Sequence, residues 1–258
     1  MKIGIITDIH EDAERLYKAM QELEKRNCNE VYCLGDISGF DERFYSYKYS
    51  RNLNYCLQVI ASNCRAIIPG NHDLNQLKKL PKYNNVFFFP DNWYYLPFKK
   101  RKELSNNLIW LYENDIPVKN ISYFQEVIGD FQDQIIIEYD GFRILLTHAI
   151  YPDISGFLTR KPTKINDYHS HLEHIKHQNC HIGISGHLHP NGLLKIDYNK
   201  IHNPKFSELE INTNQAMQFV SPCIADGIQD NGLTIVDTVN RTIEAIPLRT
   251  PRFHSFLS

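Results

Sequence analysis

Arg65-Ala66-Ile67-Ile68-Pro69-Gly70-Asn71-His72-Asp73 is a short apolar run that stops abruptly in a polar tetrapeptide. The apolar residues suit a buried strand, and Gly, Asn and Asp are turn formers. An amide carbonyl and an imidazole therefore arrive side by side at a strand tip, where open α/β sheets place their chemistry. Alone, the tetrapeptide reads equally well as an ordinary turn. Four other strand ends in the chain decide between the two readings.

Upstream, an apolar run over 2–7 ends in Asp8-Ile9-His10, and Val31-Tyr32-Cys33-Leu34 ends in Gly35-Asp36-Ile37-Ser38-Gly39. Helical spacing of Ala13, Leu16, Met20 and Leu23 predicts a helix over 11–26, with acidic residues at its start. A second helix is expected over 45–62, with Tyr49, Leu53, Cys56, Leu57 and Ile60 on one face. This β-α-β-α-β order argues for parallel strands with right-handed crossovers. It lines up Asp8, His10, Asp36, Asn71 and His72 along one sheet edge.

Downstream, Val86-Phe87-Phe88-Phe89-Pro90 is a short strand or an apolar loop. A helix is expected over 99–114, with Leu104, Leu108, Leu111 and Tyr112 as its face, and a shorter one over 121–127. Strands over 134–139 and 142–147 flank Asp140-Gly141, a tight-hairpin signal, and the second ends in Thr147-His148. A polar helix is expected over 167–178. The strand 181–185 runs into Gly186-His187-Leu188-His189. Four β runs follow, over 193–197, 216–220, 233–237 and 242–247, with 199–214 as a polar surface excursion.

With 258 residues and 42% hydrophobic composition the chain can bury a real core. We expect one domain over 1–258, with cap-like insertions at about 84–135 and 150–180. The net charge of −2 and the lack of an extended basic stripe argue against nucleic acid as partner. No apolar stretch approaches a membrane span. The six cysteines form no CxxC pair, and Cys33 and Cys56 read as buried free thiols. With no leader-like start, the expected location is the cytoplasm.

Seven strand-end residues are potential N/O ligands: Asp8, His10, Asp36, Asn71, His148, His187 and His189. Mixed imidazole and carboxylate donors suit Zn, Fe or Mn better than Ca. Seven donors exceed one ion's needs, whereas two ions sharing a bridging carboxylate fit the number. The run His169, His171, His174, His177, His181 reads as a solvated helix face rather than a second metal site. Lys99-Lys100-Arg101-Lys102 reads as solvated too, while Arg160, Lys161 and Lys164 follow the His148 loop and are candidates for substrate charge neutralisation. Tyr151, Phe157 and Tyr168 could stack a base or form a small cap core.

The five motifs, in this order, resemble the calcineurin-like metallophosphoesterases. Ser221-Pro222-Cys223-Ile224-Ala225-Asp226-Gly227 is similar to a variant of the loop after the last motif in small bacterial members, which include the branch near diadenosine tetraphosphatases and phosphodiesterases. The resemblance implies a four-layer α/β/β/α sandwich with a small helical cap insertion. It implies two divalent ions (Mn, Fe, Zn or Ni, with Mn favoured). Asp8, His10 and His189 would hold the first, Asn71, His148 and His187 the second, with Asp36 bridging. In-line attack by a bridging hydroxide would cleave a phosphate ester, and His72 would stabilise the transition state or protonate the leaving oxygen. A small phosphodiester or nucleotide is the favoured substrate. A phosphomonoesterase or protein phosphatase, and a non-catalytic metal-binding scaffold, are the alternatives. The protein-phosphatase branch continues its Gly-Asp with Asp-Arg-Gly, and this chain has neither that Asp nor that Arg. The acid that orients His72 is thus unassigned, with Asp73 the nearest candidate in sequence. Oligomeric state leaves no signal in the sequence.

Overall fold

Two six-stranded sheets lie face to face, with helices on both outer sides. The computed structural model describes residues 1–83 and 86–248. Asn84 and Asn85, at the start of the expected 84–135 insertion, and residues 249–258, at the end of the expected domain, lie outside the described residues.

The first sheet collects β1 (Lys2–Ile6), β2 (Glu30–Cys33) and β3 (Ala66–Ile67), with β9 (Glu208–Glu210), β11 (Gly232–Asp237) and β12 (Thr242–Pro247), in the order β3-β2-β1-β11-β12-β9. Its β1-β2-β3 pairs are parallel and the others antiparallel. The second contains β4 (Gln134–Tyr139), β5 (Phe142–Thr147), β6 (Ile182–Ser185), β7 (Leu193–Ile196), β8 (Ile201–Lys205) and β10 (Met217–Val220), in the order β4-β5-β6-β10-β7-β8. Here β5-β6-β10 is parallel and the other pairs are antiparallel.

Strand alternation assigns each face. Ile3, Ile5, Tyr32 and Val236 of the first sheet meet Phe142, Ile144, Leu146, Ile182, Ile184 and Phe219 of the second, forming a core between the sheets. The opposite face of the first sheet, with Ile6, Val31, Cys33 and Ile235, is covered by α1 (Ala13–Lys25) and α2 (Leu53–Asn63) through Leu16, Leu23, Cys56, Leu57 and Ile60. Gly4 lets α1 come close, since a Cβ there would lie 2.4 Å from Leu23 Cδ2. On the outer face of the second sheet, α6 (His169–His177) packs Leu172 and Ile175 against Leu145. The arrangement is the expected α/β/β/α sandwich. Among the described residues no helix is long and apolar enough to cross a membrane.

Several local expectations are corrected. The second helix begins at Leu53, where the Asn52 side chain caps it by accepting from Tyr55 N at 3.0 Å. Residues 41–52 are irregular and bury Tyr45 and Tyr47 beside His10. The helix expected over 99–114 is only α4 (Phe98–Ser105). It stops because Asn106 adopts a left-handed conformation, φ 46°. Its supposed apolar face is not one, since Leu104 and Leu108 are exposed. Between α4 and α5 (Ile121–Ile128), the chain runs extended past residue 158 and then towards the sheet edge. The stretch 86–90 is loop, its Phe87 and Phe89 edge-on to Trp93. The expected surface excursion over 199–214 instead contributes β8 and β9, edge strands of the two sheets. Cys33 and Cys56 are buried and free, as expected.

Candidate metal centre

Every ligand candidate leaves the C-terminal end of a parallel strand, or enters the turn beyond it. Asp8 and His10 follow β1, and Asp36 follows β2. Asn71 and His72 follow β3 at the start of α3 (Asn71–Gln76). His148 follows β5, and His187 and His189 follow β6. Five of these residues have left-handed backbones: Asp8 (φ 54°), His10 (46°), Asp36 (50°), His187 (66°) and His189 (48°). A non-glycine residue pays about 1–2 kcal/mol for that conformation. Such concentration at one place is typical of sites where geometry outranks local comfort.

The donor atoms converge into two groups, Asp8–His10–His189 and Asp36–His148–His187, each with its atoms within 4.8 Å of one another. In the first, His189 Nε2 lies 3.0 Å from Asp8 Oδ1 and 3.4 Å from His10 Nε2. In the second, His148 Nε2 lies 3.2 Å from Asp36 Oδ2 and 3.0 Å from Asn71 Oδ1. The outer nitrogens settle the tautomers. His10 Nδ1 sits 3.1 Å from the carbonyls of Ser38 and Gly39, and His148 Nδ1 lies 2.6 Å from Leu34 O, so both Nδ1 atoms carry the proton. Their Nε2 lone pairs then face other acceptors. The Asn71 amide end repeats the pattern: its oxygen position is 3.0 Å from His148 Nε2 and His187 Nδ1 and 3.2 Å from Gly156 O. Hydrogen bonding alone would turn that amide over, presenting NH₂ to these three atoms and the oxygen to Tyr112 Oη and His72 N, whereas a cation among the three would hold the oxygen inward. Lone pairs aimed at lone pairs are what a cation site requires, so the donor set fits divalent ions.

Protonation follows the same logic. Burial lowers His10 to about 3 and pushes His187 well down, leaving both neutral for ligation. Burial would also lower His148, but the Asp36 carboxylate outweighs it and raises the imidazole to about 9. Burial would raise Asp8, yet His189 outweighs that and holds it well below the usual carboxylate range. Asp8 Oδ2 also accepts from Thr7 Oγ1 at 2.8 Å and His187 N at 2.9 Å, which fixes the carboxylate plane.

His72 lies beside these groups. Its Nδ1 is 2.6 Å from Asp115 Oδ2, and its ring is edge-on to Tyr112 and His10. Asp115, not Asp73, is therefore its partner. Asp73 is buried and accepts from Ser38 N, Ser38 Oγ and Gly70 N at 2.9, 2.9 and 3.1 Å, stitching the Asp36 loop to the Asn71 turn. Asp115 is aimed by its own segment: Ile116 N donates to Phe40 O at 3.2 Å, and Gln76 bonds both Ile116 O and Val118 N. Burial opposes the charged form of His72, but Asp36 and then Asp115 prevail and raise it to about 9. Gly39 (φ +89°) is what lets the ring in, since a Cβ would stand 2.3 Å from His72 Nδ1.

Of the basic candidates, Lys161 is near enough for its charge to help lower His187. Arg160 is exposed and paired with Asp167 at 3.3 Å, and Lys164 is exposed with its backbone N bonded to Asp167. The His-rich run forms no metal cluster among the described residues. It is not a solvated face either: buried His171 accepts from Tyr151 N and bonds Gln218 Oε1, and His174 bonds Gln134 Oε1. Phe157 and Tyr168 are core, while Tyr151 stacks on His174 at 4.8 Å. The 221–227 loop supports the site from below, with Ile224 N and Ala225 N donating to the carbonyls of Thr7 and Asp8.

The sequence model described as "Calcineurin-like phosphoesterase" matches residues 1–191, which include all seven ligand candidates and His72. A 78-residue stretch is 35% identical to an uncharacterised protein of Methanocaldococcus jannaschii, covering 30% of this chain and only 28% of that one. Among solved structures, a metallophosphoesterase from Sphaerobacter thermophilus superposes with a TM-score of 0.62 at 14% identity, covering 96% of this chain and 88% of that one. A hypothetical protein from Pyrococcus horikoshii superposes with a TM-score of 0.58 at 12% identity, covering 97% and 89%. At such identities the likeness is one of fold.

Proposed function

The chain belongs to the calcineurin-like phosphoesterase family, and from that premise we propose that it hydrolyses phosphate esters at a two-metal centre, a small phosphodiester or nucleotide being the favoured substrate. The observation that carries the reading is the pair of converging acceptor groups with His72 beside them. Asp8, His10 and His189 would hold one ion and Asn71, His148 and His187 the other, with Asp36 shared between them. When bound, such a pair supplies Lewis-acid charge to the phosphoryl group and lowers the pKa of the attacking water, and Mn²⁺ is the favoured metal.

The protein's own groups do the remainder. His72, protonated and held by Asp115, is set to donate its proton to the departing oxygen. Tyr112 and His10 wall its ring, so the imidazole keeps one orientation. Lys161 adds positive charge on the His187 side, where a second anionic group of a diester or nucleotide would be neutralised. Arg160 would join it only if substrate drew its guanidinium from Asp167, whereas the Lys164 ammonium is exposed, only its main-chain N being bonded to Asp167. The test is turnover of bis-p-nitrophenyl phosphate and p-nitrophenyl phosphate with added Mn²⁺. Hydrolysis of the diester is expected, and inactivity on both across several divalent metals would remove the proposal.

A further inference from the structure

The segment from Asp153 to Leu158 is a tight loop with a carboxylate at its centre. Asp153 Oδ2 accepts from Leu158 N at 2.7 Å, and its main-chain O accepts from Gly156 N at 3.0 Å. Asp153 N donates to Ile150 O, Ala149 N to Ile154 O and Trp110 N to Phe157 O. A loop tied at so many points has little freedom. It carries Gly156 against the second group of ligands, at φ +80°, where a Cβ would lie 2.7 Å from Asn71 Oδ1 and 2.8 Å from His187 Nδ1.

Gly156 is buried, and among the described residues no backbone N–H donates to its carbonyl. With the Asn71 amide oxygen turned inward this buried carbonyl faces another acceptor instead of a donor, an uncommon and costly arrangement without a cation. This one points at the Asn71 amide end, 3.2 Å from its oxygen position. We propose that Gly156 O is a further donor to the second metal position, joining Asp36, Asn71, His148 and His187 in an oxygen-rich set of five that favours six-coordinate Mn²⁺ over four-coordinate Zn²⁺.

The number of donors carries the argument, since five exceed a tetrahedral set. Adjacent ligands in an octahedron with bonds of about 2.1 Å stand about 3.0 Å apart. In a tetrahedron with bonds of about 2.0 Å they stand about 3.3 Å apart. The four spacings at this position are 3.0, 3.0, 3.2 and 3.2 Å, the last being that to Gly156 O, and they are compatible with either geometry. Three oxygens and two imidazoles are also a harder set than Zn²⁺ prefers. No side chain could be selected for this task, because the backbone supplies the atom and glycine makes room for it. The inference rests on the two-metal reading above.

Crystals of the protein soaked in MnCl₂, with anomalous data at the manganese edge, test both separately. Two ions are expected, with Gly156 O within about 2.5 Å of the one beside Asn71. Two ions with Gly156 O more than about 3.5 Å from either, a water intervening, would overturn the inference and leave the two-metal reading standing. No ion at either position would remove both. In solution, Asp153→Ala loosens the loop without touching a ligand. Mn²⁺ titration followed by electron paramagnetic resonance should show the weaker-held equivalent losing affinity by about tenfold or more while the other changes less than twofold. Equal weakening of both equivalents, or of neither, would overturn it.

Discussion

Asp115→Asn isolates the carboxylate partner of the His72 ring with almost no change in side-chain volume. Asp115 Oδ2 lies 2.6 Å from His72 Nδ1, and its side chain is 3% exposed, so solvent cannot replace it. A hydrogen bond between a carboxylate and an imidazolium is worth about 1.5–3 kcal/mol net. If that energy is expressed fully when the leaving oxygen takes its proton, the rate falls roughly 10- to 150-fold. The loss should depend on the leaving group. An alkyl phosphodiester, whose alkoxide needs a proton, should suffer all of it, and a p-nitrophenyl ester, whose phenolate leaves unaided, much less. kcat should carry the effect, with KM and bound metal unchanged. His72→Ala should cost at least as much on the alkyl ester, and the double variant little more than His72→Ala alone, because both remove one device. Equal losses on the two substrates would refute the proton-donor role, and an undiminished Asp115→Asn would refute the pairing itself.

Other expectations follow from the same geometry. Gly39→Ala forces the His72 ring aside, and kcat should drop about 10²-fold with metal content intact, as metal analysis beside turnover would show. Asp36 favours a protonated His148 near pH 7.5, so Mn²⁺ binding to the metal-free protein should displace a proton from that imidazole. Calorimetry in buffers of different ionisation enthalpy should therefore report proton release, and affinity should fall as the solution is acidified. Burial depresses His171 to about 4 from an ordinary 6.5, so it favours the folded state fully above pH 6.5 and progressively less as pH falls towards 4. Urea unfolding should lose about 2 kcal/mol from this group between about pH 7.5 and 5, and His171→Gln should flatten that part of the profile.

The convergence of the ligand candidates was legible because each follows directly on an apolar strand, so one-dimensional order maps onto one edge of each sheet. The sandwich was legible for the same reason, from the alternation of strands and helices up to Ala66-Ile67 and the pattern after Gln134. Asp115 was not. It lies in an aperiodic stretch that looked like the end of a helix, and only the bonds from Gln76 and Phe40 bring it to His72. Loop 41–52 deceived for a related reason. Tyr49, placed on the expected helix face, is exposed, while Tyr45 and Tyr47 cover His10 rather than pack a helix. Gly156 gave no sign at all, because its contribution is a main-chain atom. The left-handed backbones at five ligands are equally silent in sequence, since Asp and His tolerate that conformation only under tertiary compulsion.

Each ligand group draws on both sheets. Asp8, His10, Asp36 and Asn71 come from the first, and His148, His187 and His189 from the second, with His10 and His189 separated by 179 positions. An ion held by either group is thereby a rivet across the interface of the two layers, closing a chain loop far longer than most disulfides do. Its stabilising effect rises with concentration by mass action, reaching about 2.7 kcal/mol at a hundredfold excess over Kd. Chelation should accordingly open the ends of the strands where the layers meet well before it disturbs either sheet, and hydrogen exchange at Leu34 and Gly186 would register metal supply directly.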